Sequence, residues 1–304
     1  MEVEELLRRS GGLATRAELE APLGRTALDR AVEVGRLVRV GRGRFALPGV
    51  AADRRRAHAL NGVLSHESAA LHHGWPVLLA PEQPHVTLPV RRRVSQERSR
   101  DVTLHRVDLH PDDVRDGLTS PDRTMLDCLR ACSFPAALAF ADSALRQGRT
   151  PGWLARVAGE ARGHGARQAR RVAAAATDLA ANPFESGLRA VALDVRGLTV
   201  RPQAPLYSGG RFIGRPDLVD LELGIVLESD SFKWHGGRSA LVRDARRYND
   251  FTAAGWLVLR FTWEDVVLEP ERVRTVLELA TKRRCQSLER PTQVAPRAIG
   301  TAVS

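Results

Sequence analysis

Leu223-Gly-Ile-Val-Leu-Glu-Ser-Asp230 is an apolar run that ends in acid. Its unbroken apolar middle predicts a buried strand, because a strand covered on both faces does not alternate. Trp256-Leu-Val-Leu-Arg-Phe261 reads the same way. Between them the spacing predicts a helix from about 239 to 254, with Leu241, Ala245, Tyr248 and Phe251 on its apolar side and Gly255 as its stop. Strand, helix and strand then form a crossover unit whose strands run parallel. The expectation for residues 182–282 is an α/β domain with a mixed sheet.

Working outward, the two-residue period of a strand puts Glu228 and Asp230 on one face. Arg211-Phe-Ile-Gly-Arg-Pro-Asp-Leu-Val-Asp220 reads as extended, with Pro216 suited to an edge or a strand start. Asp217 and Asp220 in that segment point to opposite faces, so only one can join Glu228; we assign Asp217 to the site and Asp220 to solvent or structure. Carboxylates within about 4 Å repel by roughly 1–4 kcal/mol per pair, so such a cluster calls for a cation or a raised pKa. Hard oxygen ligands with room for water and phosphate suit magnesium, with manganese as the usual substitute.

Asn182-Pro-Phe-Glu185 opens a helix with Leu188, Val191 and Ala192 inward. Glu185 has two readings, the glutamate of a capping box begun by Asn182 or a member of the acidic site. Leu198-Thr-Val200 is expected as a strand, and Ser231-Phe-Lys-Trp-His235 follows the acid-bearing strand. The polar side of the next helix presents Arg243, Asp244, Arg247 and Asp250, and Pro270 to Lys282 supplies the last helix. Residues 283–304 read as a flexible tail.

In their order, Glu185, Arg-Pro-Asp217, Leu-Glu228-Ser-Asp230, His235, Asp244 to Arg247 and Gly-Trp-Leu-Val-Leu-Arg260 resemble the restriction-endonuclease-like fold, specifically the very-short-patch-repair (Vsr) endonuclease-like domains. The resemblance implies that Asp217 and Glu228 hold a metal that polarises the phosphate and lowers the pKa of an attacking water. It implies further that Glu185 assists through water, that Asp230 belongs to the catalytic set, and that His235 acts as acid/base or stabilises charge on the phosphate. Asp230 stands where the widespread nuclease signature has lysine, a departure that Vsr-like relatives share. Lys233 is not assumed to replace that lysine and, with Asp244, is an auxiliary candidate. The activity implied is a magnesium-dependent DNA endonuclease or nickase.

Residues 1–50 read as three short helices and a hairpin. Thr15-Arg-Ala-Glu18 fits a capping box, in which the threonine oxygen and the glutamate each satisfy an N–H of the opening turn. A second start at Thr26-Ala-Leu-Asp29 leads a helix with Leu28, Ala31 and Val32 inward, ending at Gly35. Leu37-Val-Arg-Val40, Gly41-Arg-Gly43 and Arg44-Phe-Ala-Leu47 read as strand, tight turn and strand, which completes a winged helix. On the DNA-binding reading the Thr26–Val34 helix enters a groove, Arg42 and Arg44 meet phosphates, and Arg25, Arg30, Arg36 and Arg39 surround them. The competing reading is a winged helix used for protein contacts, with arginine as a solvated face.

From about 51 to 150 short helices and alternating strands make a small α+β domain, including His85-Val-Thr-Leu-Pro-Val90 and Asp101-Val-Thr-Leu-His-Arg-Val107. Pro121 in Thr119-Ser-Pro-Asp-Arg-Thr-Met-Leu-Asp127 marks a helix start, where its missing N–H would be unpaired anyway. His66, His72 and His73 could be grouped as metal ligands, but histidines on a short helix before Gly74-Trp75-Pro76 are more often packing or capping groups. The order of the Gly-Arg-Phe-Ala-Leu hairpin, Ser-His-Glu-Ser-Ala-Ala-Leu-His-His-Gly and Ser-Pro-Asp-Arg-Thr-Met-Leu-Asp resembles the AbiEi family of type IV antitoxins. That resemblance covers roughly the first half and implies DNA binding, often autoregulatory, without implying an enzyme. Residues 151–181, rich in Ala and Arg and interrupted by Gly159, Gly163 and Gly165, read as a helical connector.

The bulk properties agree with this multidomain α+β and α/β layout. With 304 residues, 43% hydrophobic and 27% charged, the chain has the composition of a folded protein of more than one domain. Apolar runs such as Val172 to Ala176 are far short of the roughly 20 residues a membrane helix needs, and Met1-Glu-Val-Glu-Glu-Leu-Leu-Arg-Arg lacks a signal peptide's order, so a cytoplasmic location is expected. Cys128, Cys132 and Cys285 have no paired metal-ligand spacing. The formal charge of +10 makes a polyanion the default partner, nucleic acid ahead of an anionic membrane, through release of counterions from phosphates. The alternative to a nuclease is a non-catalytic DNA-binding regulator or antitoxin with a toxin or other protein as partner.

Overall fold

The computed structural model describes residues 3–8, 10–230 and 238–289, with the backbone alone for 238–241. Contacts divide the chain into two compact units, Met1–Gly187 and Leu188–Ser304. Both mix helices with sheets. Among the described residues, no helix is long and apolar enough to cross a membrane.

The first unit begins with α1 (Val3–Arg8), β1 (Leu13–Thr15), α2 (Arg16–Leu23), α3 (Arg25–Glu33), β2 (Val38–Gly41) and β3 (Arg44–Ala46). The strands form one antiparallel sheet in the order β1-β3-β2. Leu7, Leu19, Leu28, Leu37 and Phe45 close the core between helices and sheet. Strand β1 has no counterpart among the expected elements, because three residues show no periodicity; pairing with β3 makes it. Thr15 ends β1 and caps α2: its N–H donates to the Glu18 carboxylate at 2.7 Å, and Glu18 N–H donates to its Oγ1 at 3.4 Å. Helix α3 starts at Arg25, ahead of the expected Thr26, because Gly24 at φ 76° both ends α2 and opens α3.

The unit continues with α4 (Ala52–Ala59), β4 (Val63–Leu64), α5 (His66–His72), β5 (His85–Leu88), α6 (Gln96–Ser99), β6 (Thr103–Arg106), β7 (Val114–Arg115) and β8 (Leu118–Thr119). Their sheet runs β6-β5-β4-β8-β7 and is mixed: β5 pairs β6 in parallel and β4 pairs β8 in parallel. Helices α7 (Pro121–Ala131), α8 (Phe134–Arg146), α9 (Pro151–Glu160) and α10 (Ala166–Ala175) follow. Helix α7 opens at Pro121 as expected, with Ser120 Oγ accepting from Arg123 N–H at 3.3 Å. Helices α9 and α10 pack on each other and on α7, so residues 151–181 are part of this helical layer.

Helix α11 (Pro183–Ala192) spans the boundary between the units. The second unit holds β9 (Arg201–Pro202), β10 (Leu206–Ser208), β11 (Arg211–Gly214), β12 (Leu218–Asp220), β13 (Ile225–Asp230), α12 (Arg238–Ala253), β14 (Leu257–Thr262), α13 (Trp263–Leu268) and α14 (Pro270–Glu289). Its main sheet runs β14-β13-β12-β9, and β10 pairs β11 separately. Strands β13 and β14 are parallel, and β12 is antiparallel to β13. Val219, Val226 and Phe251 share one apolar cluster, which seats α12 on the sheet. Leu198-Thr-Val200 is not a strand; pairing begins at Arg201. Helix α14 continues to Glu289, past the end expected at Lys282.

Gly165 shows what the α7–α10 layer requires. It sits at φ 78°, and a Cβ there would lie 2.4 Å from the Arg130 carbonyl oxygen. Gly165→Ala therefore meets both a left-handed backbone penalty and a backbone clash, and we expect a loss of roughly 2 kcal/mol or more in urea unfolding. An unchanged midpoint would contradict the close approach of α7 and α10.

Candidate functional site

The acids of the second unit are brought together by register. Leu218 pairs with Leu227 and Val219 with Val226, so the antiparallel ladder carried one step further sets Asp217 opposite Glu228. Asp217 Oδ2 accepts the Ser229 N–H at 2.8 Å and the Ser229 hydroxyl as well, while Gln203 Nε2 donates to Oδ1 at 3.4 Å. Asp220 lies on the other side of the strand, 2% exposed, accepting N–H groups from Thr199, Glu222 and Leu223. Its role is to hold the turn between β12 and β13.

Glu228 is 2% exposed, and its Oε1 has no hydrogen-bond partner among the described residues. Its Oε2 accepts from Arg247 at 3.2 Å. Burial first, then the charge of Asp217, pushes the Glu228 carboxyl up to about 8, with Arg247 pulling the other way. Asp230 faces the same side but is paired with Arg260 at 2.6 Å, and Tyr248 Oη donates to it at 3.4 Å. The Arg260 guanidinium in turn lies 4.2 Å from the Tyr248 ring centre. Asp244 is exposed and lies 3.6 Å from Arg247.

These contacts bear on a divalent cation. No trio of acids among the described residues brings its oxygens within 4.8 Å of one another. Arg260 already neutralises Asp230, so Asp230 does not fit as a ligand. Asp217 and Glu228 do fit, since magnesium is commonly held by one or two carboxylates with water completing the shell, and the partnerless Glu228 Oε1 offers a lone pair.

Glu185 belongs to the first unit, buried at the start of α11. Its carboxylate accepts from Ala181 N–H and Asn182 Nδ2, both at 2.8 Å, and Asn182 Oδ1 accepts from Glu185 N–H at 3.0 Å. That is capping work, the first of the two roles open to this residue. Lys233 and His235 lie outside the described residues.

At the N-terminus, Arg25, Arg30, Arg36, Arg39 and Arg42 are exposed. Arg36 is held by Glu4 through two bonds of 2.6 Å, and Arg25 faces Asp29 at 3.9 Å. Arg44 is half-buried, bonded to Asn61 and 3.4 Å from His58 Nδ1, so it fastens the hairpin to the next segment. Arg30, Arg39 and Arg42 have no ion pair among the described residues. Which arginines carry tertiary work was not visible in sequence, because their partners are distant along the chain.

The histidines on α5 separate. His72 pairs with Asp53 at 2.9 Å, and His73 Nε2 lies 2.9 Å from the Thr119 carbonyl. His66 turns away from both and meets His85 and His105 instead. Burial holds His66 down at about 2 and His105 at about 4, with neighbouring histidines adding to both.

Residues 1–48 match the family described as "Transcriptional regulator, AbiEi antitoxin". Two curated proteins of Mycobacterium tuberculosis, "Uncharacterized protein MT2308" and "Uncharacterized protein Rv2248", are each 30% identical over 158 residues, covering 51% of this chain and 58% of the relative. The chain thus spans little more than half the length of the curated relatives it matches. Among solved structures, the Rv2827c protein from Mycobacterium tuberculosis aligns with 69% of this chain and 90% of its own, at 17% identity and a TM-score of 0.31, too low to establish a shared arrangement.

The Glu228 carboxyl makes a pH prediction. Below about pH 4.5, its ordinary value, folded and unfolded chains both hold the proton, whereas between there and about 8 the folded chain keeps a proton that the unfolded chain releases. Stability should fall as pH rises across that window, by at most about 1.4 kcal/mol per pH unit. Glu228→Gln should flatten the profile in urea unfolding at several pH values. Identical slopes for both proteins would refute the assignment.

Proposed function

We propose that this chain is a DNA-binding transcriptional regulator of the AbiEi antitoxin kind, reading DNA with a winged helix formed by residues 1–50. The observation that carries the reading is the family match over residues 1–48. The disposition of basic residues supports it: α3 and the hairpin offer Arg30, Arg39 and Arg42 to solvent, while Arg36 and Arg44 hold the fold. An exposed helix flanked by a basic hairpin suits a major groove and its phosphates. In this reading residues 51–150 form the AbiEi-like middle domain, the helices of 151–181 pack on it, and the partner besides DNA is a toxin. Arginine–phosphate contacts release counterions, so affinity should fall steeply with salt.

Fluorescence anisotropy with a labelled duplex across a salt series tests this. Arg30→Ala, Arg39→Ala and Arg42→Ala should each weaken binding and reduce the slope of log affinity against log salt by about 1. Arg44→Ala should instead lower thermal stability. Binding insensitive to salt, or unaffected by the three exposed substitutions, would overturn the reading.

A second reading is favoured by the buried Glu228 beside Asp217: a magnesium-dependent DNA endonuclease or nickase on a Vsr-like domain. Asp217 and Glu228 would hold the cation, which supplies Lewis acidity for phosphodiester hydrolysis. Arg247 and the ordered Ser229 contacts keep the two carboxylates in place. Supercoiled plasmid incubated with magnesium should be nicked by the native protein and not by Asp217→Ala or Glu228→Ala. Equal cutting by all three proteins, or by none, would remove the hydrolase and leave the regulator.

A further inference from the structure

Three imidazoles from three separate elements converge in the first unit. His66 opens α5, His85 lies on β5 and His105 on β6, and their ligating nitrogens all fall within 4.8 Å of one another. The parallel register sets His85 opposite Thr103 and Thr87 opposite His105, which puts both strand histidines on one face of the sheet. His105 Nε2 is 3.1 Å from His85 Nδ1, and the His66 and His105 rings stack with centres 3.6 Å apart at 16° between planes, so the His66 ring must turn about χ2 for its Nε2 to meet an ion shared with His105.

The hydrogen-bond partners of His85 and His66 each leave one ring nitrogen free to face the cluster. Glu67 Oε2 lies 3.1 Å from His85 Nε2, which keeps a proton on that nitrogen and turns the Nδ1 lone pair toward His105. A carboxylate behind a histidine is the usual support for a metal ligand. His66 Nδ1 lies 3.0 Å from Ser65 Oγ, itself bonded by Thr87 Oγ1 at 2.8 Å, so Nε2 is the nitrogen His66 can offer. Two nitrogens on one zinc, each at about 2.0–2.1 Å and at angles between square and tetrahedral, lie about 2.9–3.4 Å apart, a range that includes the His85–His105 separation.

His66 also holds a positive φ of 50°, unusual for a residue with a side chain, and that backbone carries its ring into the cluster. His66 is 6% exposed while His85 and His105 are half-buried, so the group is sheltered yet reachable. The nearby cation Arg123 is held by Asp127 through bonds of 3.0 and 2.8 Å, which offsets its charge.

We propose that His66, His85 and His105 form a binding site for a divalent transition metal of the zinc class, with Glu67 as the residue that orients His85 and a fourth position left to water. Neutral imidazole suits zinc, copper, nickel and iron rather than magnesium, so this site is chemically distinct from the Asp217–Glu228 pair. An ion there ties α5 to β5 and β6 and stiffens the sheet they share. The inference is independent of whether the chain reads or cuts DNA.

Calorimetric titration of the chelator-treated full-length protein with Zn²⁺ tests it, alongside Co²⁺ absorption and thermal unfolding with and without zinc. The expected result is a single saturating ion, a visible Co²⁺ band typical of nitrogen ligation, and a higher unfolding temperature with metal. His85→Ala and His105→Ala should abolish all three. Glu67→Gln, which removes no ligand and keeps the assay decisive if a histidine variant fails to fold, should weaken Zn²⁺ by roughly 10-fold or more. His72→Ala and His110→Ala should change nothing. No binding by the native protein, unaltered binding in His85→Ala and Glu67→Gln, or loss confined to the His72 or His110 variants would overturn the proposal.

Discussion

The second unit depends on a carboxyl held out of water next to another carboxyl. Glu228 follows the buried Ile225, Val226 and Leu227 on β13, a strand hydrogen-bonded to β12 and β14, so its carboxyl is drawn out of water with them. Three responses to that conflict are visible together: Glu228 takes up a proton more readily, Arg247 approaches one oxygen, and Arg260 with Tyr248 draws off the charge of Asp230. Asp217 is held separately by the Ser229 amide and hydroxyl. A cation held by Asp217 and Glu228 would take the place of the Glu228 proton.

Much of this was legible in the sequence because strands enforce a two-residue period. The unbroken apolar run ending at Glu228, its parallel partner, and the division of labour between Asp217 and Asp220 all follow from that period, and the structure shows Asp220 tied into a turn. Thr15 and Glu18 announced their helix through spacing alone. Strand β1 did not announce itself, since a three-residue strand is defined by its neighbour rather than by its own pattern.

Long-range partners were the other blind spot. Six arginines of the first fifty residues group together as DNA contacts in the sequence, yet Glu4 holds Arg36 and Asn61 holds Arg44, partners far along the chain. The histidines show the same limit. The sequence favours packing or capping roles for His66, His72 and His73, as His72 and His73 have, whereas the parallel pairing of β5 and β6, which no local pattern encodes, gathers His66 with His85 and His105.

The ties between the N-terminal hairpin region and helix α4 have a mechanical consequence. Arg54 reaches back to the carbonyl of Gly11 and across to that of Asp116, His58 Nε2 lies 3.0 Å from the Ala14 carbonyl, and Arg44 is clamped by Asn61. A head fastened at so many points has no swivel. Whatever grips its outer surface would load the neighbouring layer directly, as torque applied to a welded bracket passes into the frame behind it.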